Sequence, residues 1–407
     1  MSKDAIGDHV VTGLDRRALR RSYQDRGVEH WSDAELVWAV AAVVADPRQD
    51  EAASFVLHAP LELAARAALL PFVRPESREL ARLHIMNIAA EYEASGPPAV
   101  FARLPRNQKS TAATLLRVIA DGDLDEVDNA VRGLSHITTT QLLDDMVDAV
   151  APLTGAAAHT PILLQFLRRT SPRGELPVRL LRPLARELAR APGWRLRWFD
   201  DEPGPGGGTT TDLVDVLSSQ ELLGVPGSTF IHPILDQLEQ HHGSIDRLRR
   251  NCPEYSPESA AAVLRVAARS MLEDTPEHAR YGWTHCLTLP QAVLDLVGFS
   301  RDPSRMLAIA ASQVAGFRAA LGDRLLDPSP PPLSAMTDAE FRGRTADLAT
   351  AASVSHDAHV VKYTLACLDA AAADREQAAL FVAAAQRLLD VWASGAPGPD
   401  DPLGSES

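Results

Sequence analysis

Apolar residues recur at three- and four-residue spacing along most of the chain, the period of a helix with one buried face. Alternating runs of β-branched residues, the mark of half-buried strands, are scarce. The spacing predicts helices over 33–43, 58–73, 76–93, 111–120, 142–150, 160–169, 176–189, 234–241, 259–272, 290–296, 305–321, 338–352, 358–371 and 375–391. Several are rich in Ala and Leu, which suits helix-on-helix packing. The expectation is an all-α chain: a single large multi-helix domain over 31–394 with irregular packing, an N-terminal extension over 1–30 and a disordered tail over 395–407 rich in Gly, Pro, Asp and Ser. Two breaks fall inside the domain, a glycine-rich flexible loop at 202–211 and a Pro-rich connector at 327–334. The loop could divide the domain, but the candidate site residues lie on both sides of it.

Composition narrows the function. The chain has 407 residues, 45% hydrophobic, and a formal net charge of −14. An acidic chain is a poor partner for nucleic acid or an anionic membrane, because both need a basic surface. Met1-Ser2-Lys3-Asp4 opens no apolar core, and no uncharged run approaches the ~20 residues that span a bilayer. Three widely spaced cysteines, Cys252, Cys286 and Cys367, suggest neither a disulfide framework nor a thiolate zinc site. A cytoplasmic protein is expected, and a homodimer is compatible with all of this. Of 40 basic residues only Lys3, Lys109 and Lys362 are lysines, so a lysine in an apolar segment stands out.

The candidate chemistry lies in histidines. His58-Ala59-Pro60, His159-Thr160-Pro161 and His232-Pro233 each place a histidine just before a proline that opens an apolar helix. The positive end of a helix dipole disfavours imidazolium there, and neutral imidazole is the form that binds a metal. The plain alternative is that histidine tolerates helix starts. His285, in Trp283-Thr284-His285-Cys286-Leu287-Thr288, has a similar apolar setting before Pro290, and taken alone reads as a satisfied core residue. His359 and Lys362 differ in kind. Spaced i and i+3, they share a helix face, and Tyr363 to Leu368 continues apolar, so the face turns inward. A buried lysine loses its proton more easily, and the neutral amine can take up carbon dioxide as a carbamate, an oxygen ligand. The alternative is a lysine that snorkels or pairs with an acid such as Asp369.

Together these motifs resemble the questin oxidase-like family: an early His in an apolar helix, one near 160, one in the Trp-Thr-His-Cys stretch with Thr288 three residues on, and a late His-x-x-Lys. The resemblance covers roughly residues 50 to 375 as scattered short motifs. It implies an all-helical oxygenase of aromatic polyketides, notably anthraquinones, that opens rings or inserts oxygen using molecular oxygen. It also implies a non-haem Fe(II) held by His58, His159, His285, His359 and carboxylated Lys362, although some members are described as needing no cofactor. His232, His356 and Tyr363 are candidate acids or bases. Three other readings compete: a cofactor-free oxygenase of the same family, an HD-type metal phosphohydrolase suggested by His356-Asp357, and a non-catalytic helical scaffold.

Overall fold

A computed structural model describes residues 16–49, 54–99, 109–134, 139–155, 158–170, 176–198, 200, 207–219, 231–327 and 334–394. The all-α expectation holds. Among the described residues there are α-helices and shorter 3-10 and π turns, and the only extended pairings are two isolated bridges, Arg48 with Pro98 and Leu153 with Arg195. No described helix is long and apolar enough to cross a membrane. The chain groups into two compact units. One is Met1–Met146, Phe166–Pro192 and Ala349–Lys362; the other is Val147–Gln165, Gly193–Leu348 and Tyr363–Ser407. Residues 202–211, the expected glycine-rich loop, fall within the second of these units. The first part of that loop, the Pro-rich connector between Asp327 and Ser334, and the expected tail lie outside the described residues, while Thr210 already opens a helix.

In the first unit the helices are α1 (Arg16–Asp25), α2 (Asp33–Val44), α3 (Ser54–Leu69), α4 (Arg78–Ala94), α5 (Ala112–Asp121), α6 (Leu124–Gly133) and α9 (Leu176–Arg190). Helix α1 lies within the expected N-terminal extension. Ser32 starts α2 with a capping box, and Asp123 caps α6 by accepting from Asp125 and Glu126 N–H. Helices α2, α3 and α4 pack on one another, and α9 packs on α2, α3, α5 and α6. Two buried arginine hubs tie these layers. Arg82 on α4 donates to Tyr23 Oη, to Asp33, and to the carbonyls of Val28 and Trp31. Asp128 on α6, fully buried, accepts from Arg182 and Arg186 of α9 at 2.8 Å each. Each hub pairs its own buried charges locally, which is the condition for tolerating them.

The second unit is built on α10 (Thr210–Ser218), α11 (Ile231–Gln240), α12 (His242–Asn251), α13 (Pro257–Glu273), α14 (Thr284–Asp295), α15 (Pro303–Leu321) and α18 (Ala378–Ala393). Its central helix α15 is buried along almost its whole length and packs against α14, α13, α11 and α10. Gly316 lets α11 come close: a Cβ there would sit 2.6 Å from Leu235 Cδ2. Four more helices, α7 (Thr139–Val150), α8 (His159–Thr170), α16 (Asp338–Ser353) and α17 (Ala358–Ala373), contain the points at which the chain passes from one unit to the other. For α17 the division follows Lys362.

Two helix starts depart from expectation. The helix bearing His58 opens at Ser54, not beside Pro60, so His58 lies in the second turn and Pro60 sits inside the helix. The helix bearing His285 opens at Thr284 with Pro290 inside it. An internal proline forfeits one backbone bond, a cost that packing of an apolar helix can override. The dipole argument for a neutral imidazole therefore applies to His159, the first residue of α8, and not to His58.

Candidate metal centre

The first unit brings His58 and His359 together. Both are buried, and their Nε2 atoms lie 3.2 Å apart, with ring centroids at 4.7 Å. The local sequence explains the placement. On α3, His58, Glu62 and Arg66 follow one another at four-residue steps and form one stripe. On α17, Asp357 caps the helix: its Oδ1 accepts from the N–H of His359 at 2.7 Å and of Val360 at 3.2 Å. The same oxygen stands 3.3 Å from His359 Nδ1. A carboxylate there favours a proton on Nδ1, which leaves the Nε2 lone pair facing His58.

Lys362 is one turn beyond His359 and only 2% exposed. Burial pulls its ammonium down to about 7, against the opposing charges of Asp357 and Glu62. Burial, aided by the Lys362 charge, also holds His359 well below the ordinary imidazole value. The Asp357 carboxyl is raised by burial, and the two backbone donors and the nearby His58 and Lys362 offset this. Glu62 and Arg66 are themselves buried, at 6% and 2% exposure. Arg66 Nε donates to Glu62 Oε1 at 2.7 Å, and its two terminal nitrogens donate to the carbonyls of Ser353 (2.8 Å) and Ser355 (2.7 Å).

The second unit brings His159 and His285 together in the same manner, Nε2 to Nε2 at 3.0 Å, with both residues buried. His285 follows a π turn, Ala279–Trp283. The Tyr281 carbonyl in that turn accepts two side-chain donors, Thr284 Oγ1 at 2.9 Å and His285 Nδ1 at 2.5 Å. The proton on His285 is thereby assigned to Nδ1, and its Nε2 lone pair faces His159. Short π segments inside helices recur at functional sites because they re-aim side chains.

Both pairs suit a metal. Two nitrogens bound at about 2.1 Å to one ion are about 3.0 Å apart at right angles and about 3.4 Å apart in a tetrahedron. The observed 3.2 and 3.0 Å fall at that spacing. Imidazole nitrogens suit Fe(II), among other mid-row metals, by ligand type.

The three residues expected to act as acid or base are placed differently. His356 is exposed and lies edge-on to His84, their centroids 5.0 Å apart. Asp357 is turned to its helix cap and His359, so the dipeptide that suggested a phosphohydrolase points its two side chains at different partners. Tyr363 is fully buried, and its phenol is driven well above the usual range by burial and by Cys367 and Cys286. His232 is half-buried, stacked on the exposed ring of Trp194 at 4.3 Å with its Nδ1 2.7 Å from Thr154 Oγ1. Its imidazole is lowered, chiefly by burial.

Glu62 and Arg66 were not expected at the site, and Asp357, a nearby candidate acid or base by sequence, instead caps α17 and stands behind His359. Their signal was nonetheless in the sequence: Glu62 and Arg66 stand four and eight residues after His58, charges on an otherwise apolar helix. No family model, no curated protein and no solved structure matches the chain.

Proposed function

We propose that the chain is an oxygenase acting on an aromatic polyketide of the anthraquinone kind, with a non-haem iron held by His58, His159, His285, His359 and a carboxylated Lys362. One observation carries the metal: the facing Nε2 atoms of His58 and His359, 3.2 Å apart, beside a lysine only 2% exposed. The oxygenase and its substrate class rest on the resemblance of the His and His-x-x-Lys motifs. When bound, iron would supply the binding and activation of molecular oxygen for ring opening or oxygen insertion.

The chain's own residues prepare the centre. Asp357 Oδ1, 3.3 Å from His359 Nδ1, favours a proton there, and the Tyr281 carbonyl accepts from His285 Nδ1. Lys362, at about 7, is substantially neutral at physiological pH. Its neutral amine can then attack carbon dioxide: the N–C bond forms as one C=O π bond opens onto oxygen, one N–H proton leaves to solvent, and the neutral amine becomes an anionic carbamate. An anion in that position calls for a cation beside it, which a metal held by these histidines would provide.

Metal analysis tests the reading. One iron per chain is expected, lost in His359→Ala and in Lys362→Ala together with oxygen consumption on a hydroxylated anthraquinone. A carbamate carbon signal after supply of ¹³C-labelled carbon dioxide should vanish in Lys362→Ala. A metal-free protein that still consumes oxygen with that substrate would leave the cofactor-free oxygenase standing and sink the iron. Stoichiometric zinc with phosphatase activity would sink the oxygenase.

A further inference from the structure

Arg66 makes more demands on its surroundings than packing alone explains. It is 2% exposed, and its guanidinium is shared among three acceptors from two stretches of chain. One is Glu62 on its own helix, a single turn from His58. The other two are the carbonyls of Ser353 and Ser355, at the end of α16 and in the turn just before Asp357. That turn delivers the chain to the cap of α17, where Asp357 aims His359. The link therefore runs from the helix that carries His58 to the segment that positions its partner.

We infer that Arg66, braced by Glu62, is a positioning residue of this centre: it fixes the start of α17 against α3 and so sets His359 opposite His58. The inference rests on the proposed metal reading for its consequence, though not for its geometry. A planar fork with donors at fixed angles can reach a carboxylate and two carbonyls at once; a lysine ammonium in its place cannot hold all three in the same geometry. Glu62 has a second part in this, since its charge also faces Lys362. The pair thus joins both histidines and the lysine to one rigid brace.

The test compares Arg66→Lys with Arg82→Lys, another buried arginine hub of the same unit, whose partners Tyr23, Asp33, Val28 and Trp31 include none of the histidines. Both variants should lower the melting temperature. Two readouts then separate positioning from plain stability. In metal-free, ¹⁵N-histidine-labelled protein, Arg66→Lys should shift the ring nitrogens of His58 and His359 and leave those of His159 and His285 in place. Arg82→Lys should shift neither set. In Fe(II) or Co(II) titrations, Arg66→Lys should weaken binding about 10- to 100-fold, the cost seen when partners behind metal ligands are lost, with Arg82→Lys within about twofold of the parent. Glu62→Gln, which keeps an acceptor for Arg66 without the charge, should fall between them and serves if Arg66→Lys does not fold. Unmoved His58 and His359 resonances in Arg66→Lys, or equal shifts in Arg82→Lys, overturn the positioning role. A parent protein that binds neither metal overturns the metal reading instead, and the resonances still decide the role of Arg66.

Discussion

His58 faces His359 across 3.2 Å and His159 faces His285 across 3.0 Å, yet what stands behind the two pairs differs. Behind the first are ionisable groups, all at least half-buried: Asp357, Lys362, Glu62 and Arg66. Behind the second is a backbone carbonyl, that of Tyr281, presented by a π turn. A carbonyl fixes a tautomer without bringing a charge into the interior. A carboxylate and an ammonium fix it too, and must themselves be kept from costing several kcal/mol each by partners. The first pair is thus the demanding one. On the proposed metal reading a cation and a carbamate would complete the balance of its buried charges, whereas the contact behind His285 is a neutral carbonyl.

The largest effect should come from removing one histidine of the demanding pair. His359→Leu should abolish tight metal binding, a loss greater than the ~100-fold that an outer partner costs, while the metal-free protein keeps its fold. His285→Leu should weaken binding as well if all four histidines hold one ion. Metal content per chain, measured for both variants, checks this. Full iron in His285→Leu with none in His359→Leu would confine the ion to the first pair.

The cost of the buried lysine should show as pH dependence of stability in metal-free protein. Its ammonium titrates at about 7 in the fold and at the ordinary 10.5 when unfolded. Between those values the unfolded chain holds one more proton than the folded chain, so stability rises with pH across that window. Below about 7 the charge is buried at full cost. Lys362→Met removes it, so the variant should be more stable than the parent by up to about 5 kcal/mol at low pH, at about 1.4 kcal/mol per pH unit of displacement. The gap should close as pH rises toward 10. Denaturant midpoints at pH 6.5, 8 and 9.5 give the trend. A constant gap would mean that Lys362 keeps its ordinary protonation inside the protein.

How much of this was legible beforehand depends on which physical signal carried it. Helical periodicity is local, so the helices from Asp33 to Ala393 were largely readable, and the inward face of His359 and Lys362 followed from their i, i+3 spacing. The short polar helices over Arg16–Asp25, Leu124–Gly133 and His242–Asn251 were missed. They carry fewer apolar residues, and their ends are set by caps and neighbours as much as by a stripe. The pairing of His58 with His359 spans 301 positions, and no spacing rule reaches that far. Nor could the proline rule place His58, because a helix extended back to Ser54 outweighed the lost bond at Pro60. The brace of Arg66 ends on carbonyls, which have no sequence identity at all.

A smaller effect is expected at the carboxylate. Asp357→Asn keeps a cap acceptor for the N–H groups of His359 and Val360 but removes the charge behind His359 Nδ1. Metal affinity should fall about 10- to 100-fold, the range for loss of such a partner, with little change in melting temperature. Calorimetric titration with Fe(II) under argon or with Co(II) reads it. An unchanged affinity would show that the cap, not the charge, is what Asp357 contributes.

The Tyr281 carbonyl that accepts from His285 Nδ1 is backbone, so that contact is reached through the turn that presents it. Gly282 lies in the π turn, and a Cβ there would meet Leu321 Cδ1 at 2.3 Å and His278 Cβ at 3.3 Å. The first is the tip of a leucine at the end of α15 and can swing aside, so Gly282→Ala should cost only about 1 kcal/mol, the low end for overpacking. The turn should survive, and with it the bond from His285 Nδ1 to Tyr281. The ¹⁵N resonances of His285 should then stay close to the parent values, whereas removing the charge 3.3 Å from His359 Nδ1 in Asp357→Asn should shift those of His359. If Gly282→Ala moves His285 as far as Asp357→Asn moves His359, the neutral pair is held no more loosely than the charged one. The contrast between them would then lie in charge alone and not in tolerance to change.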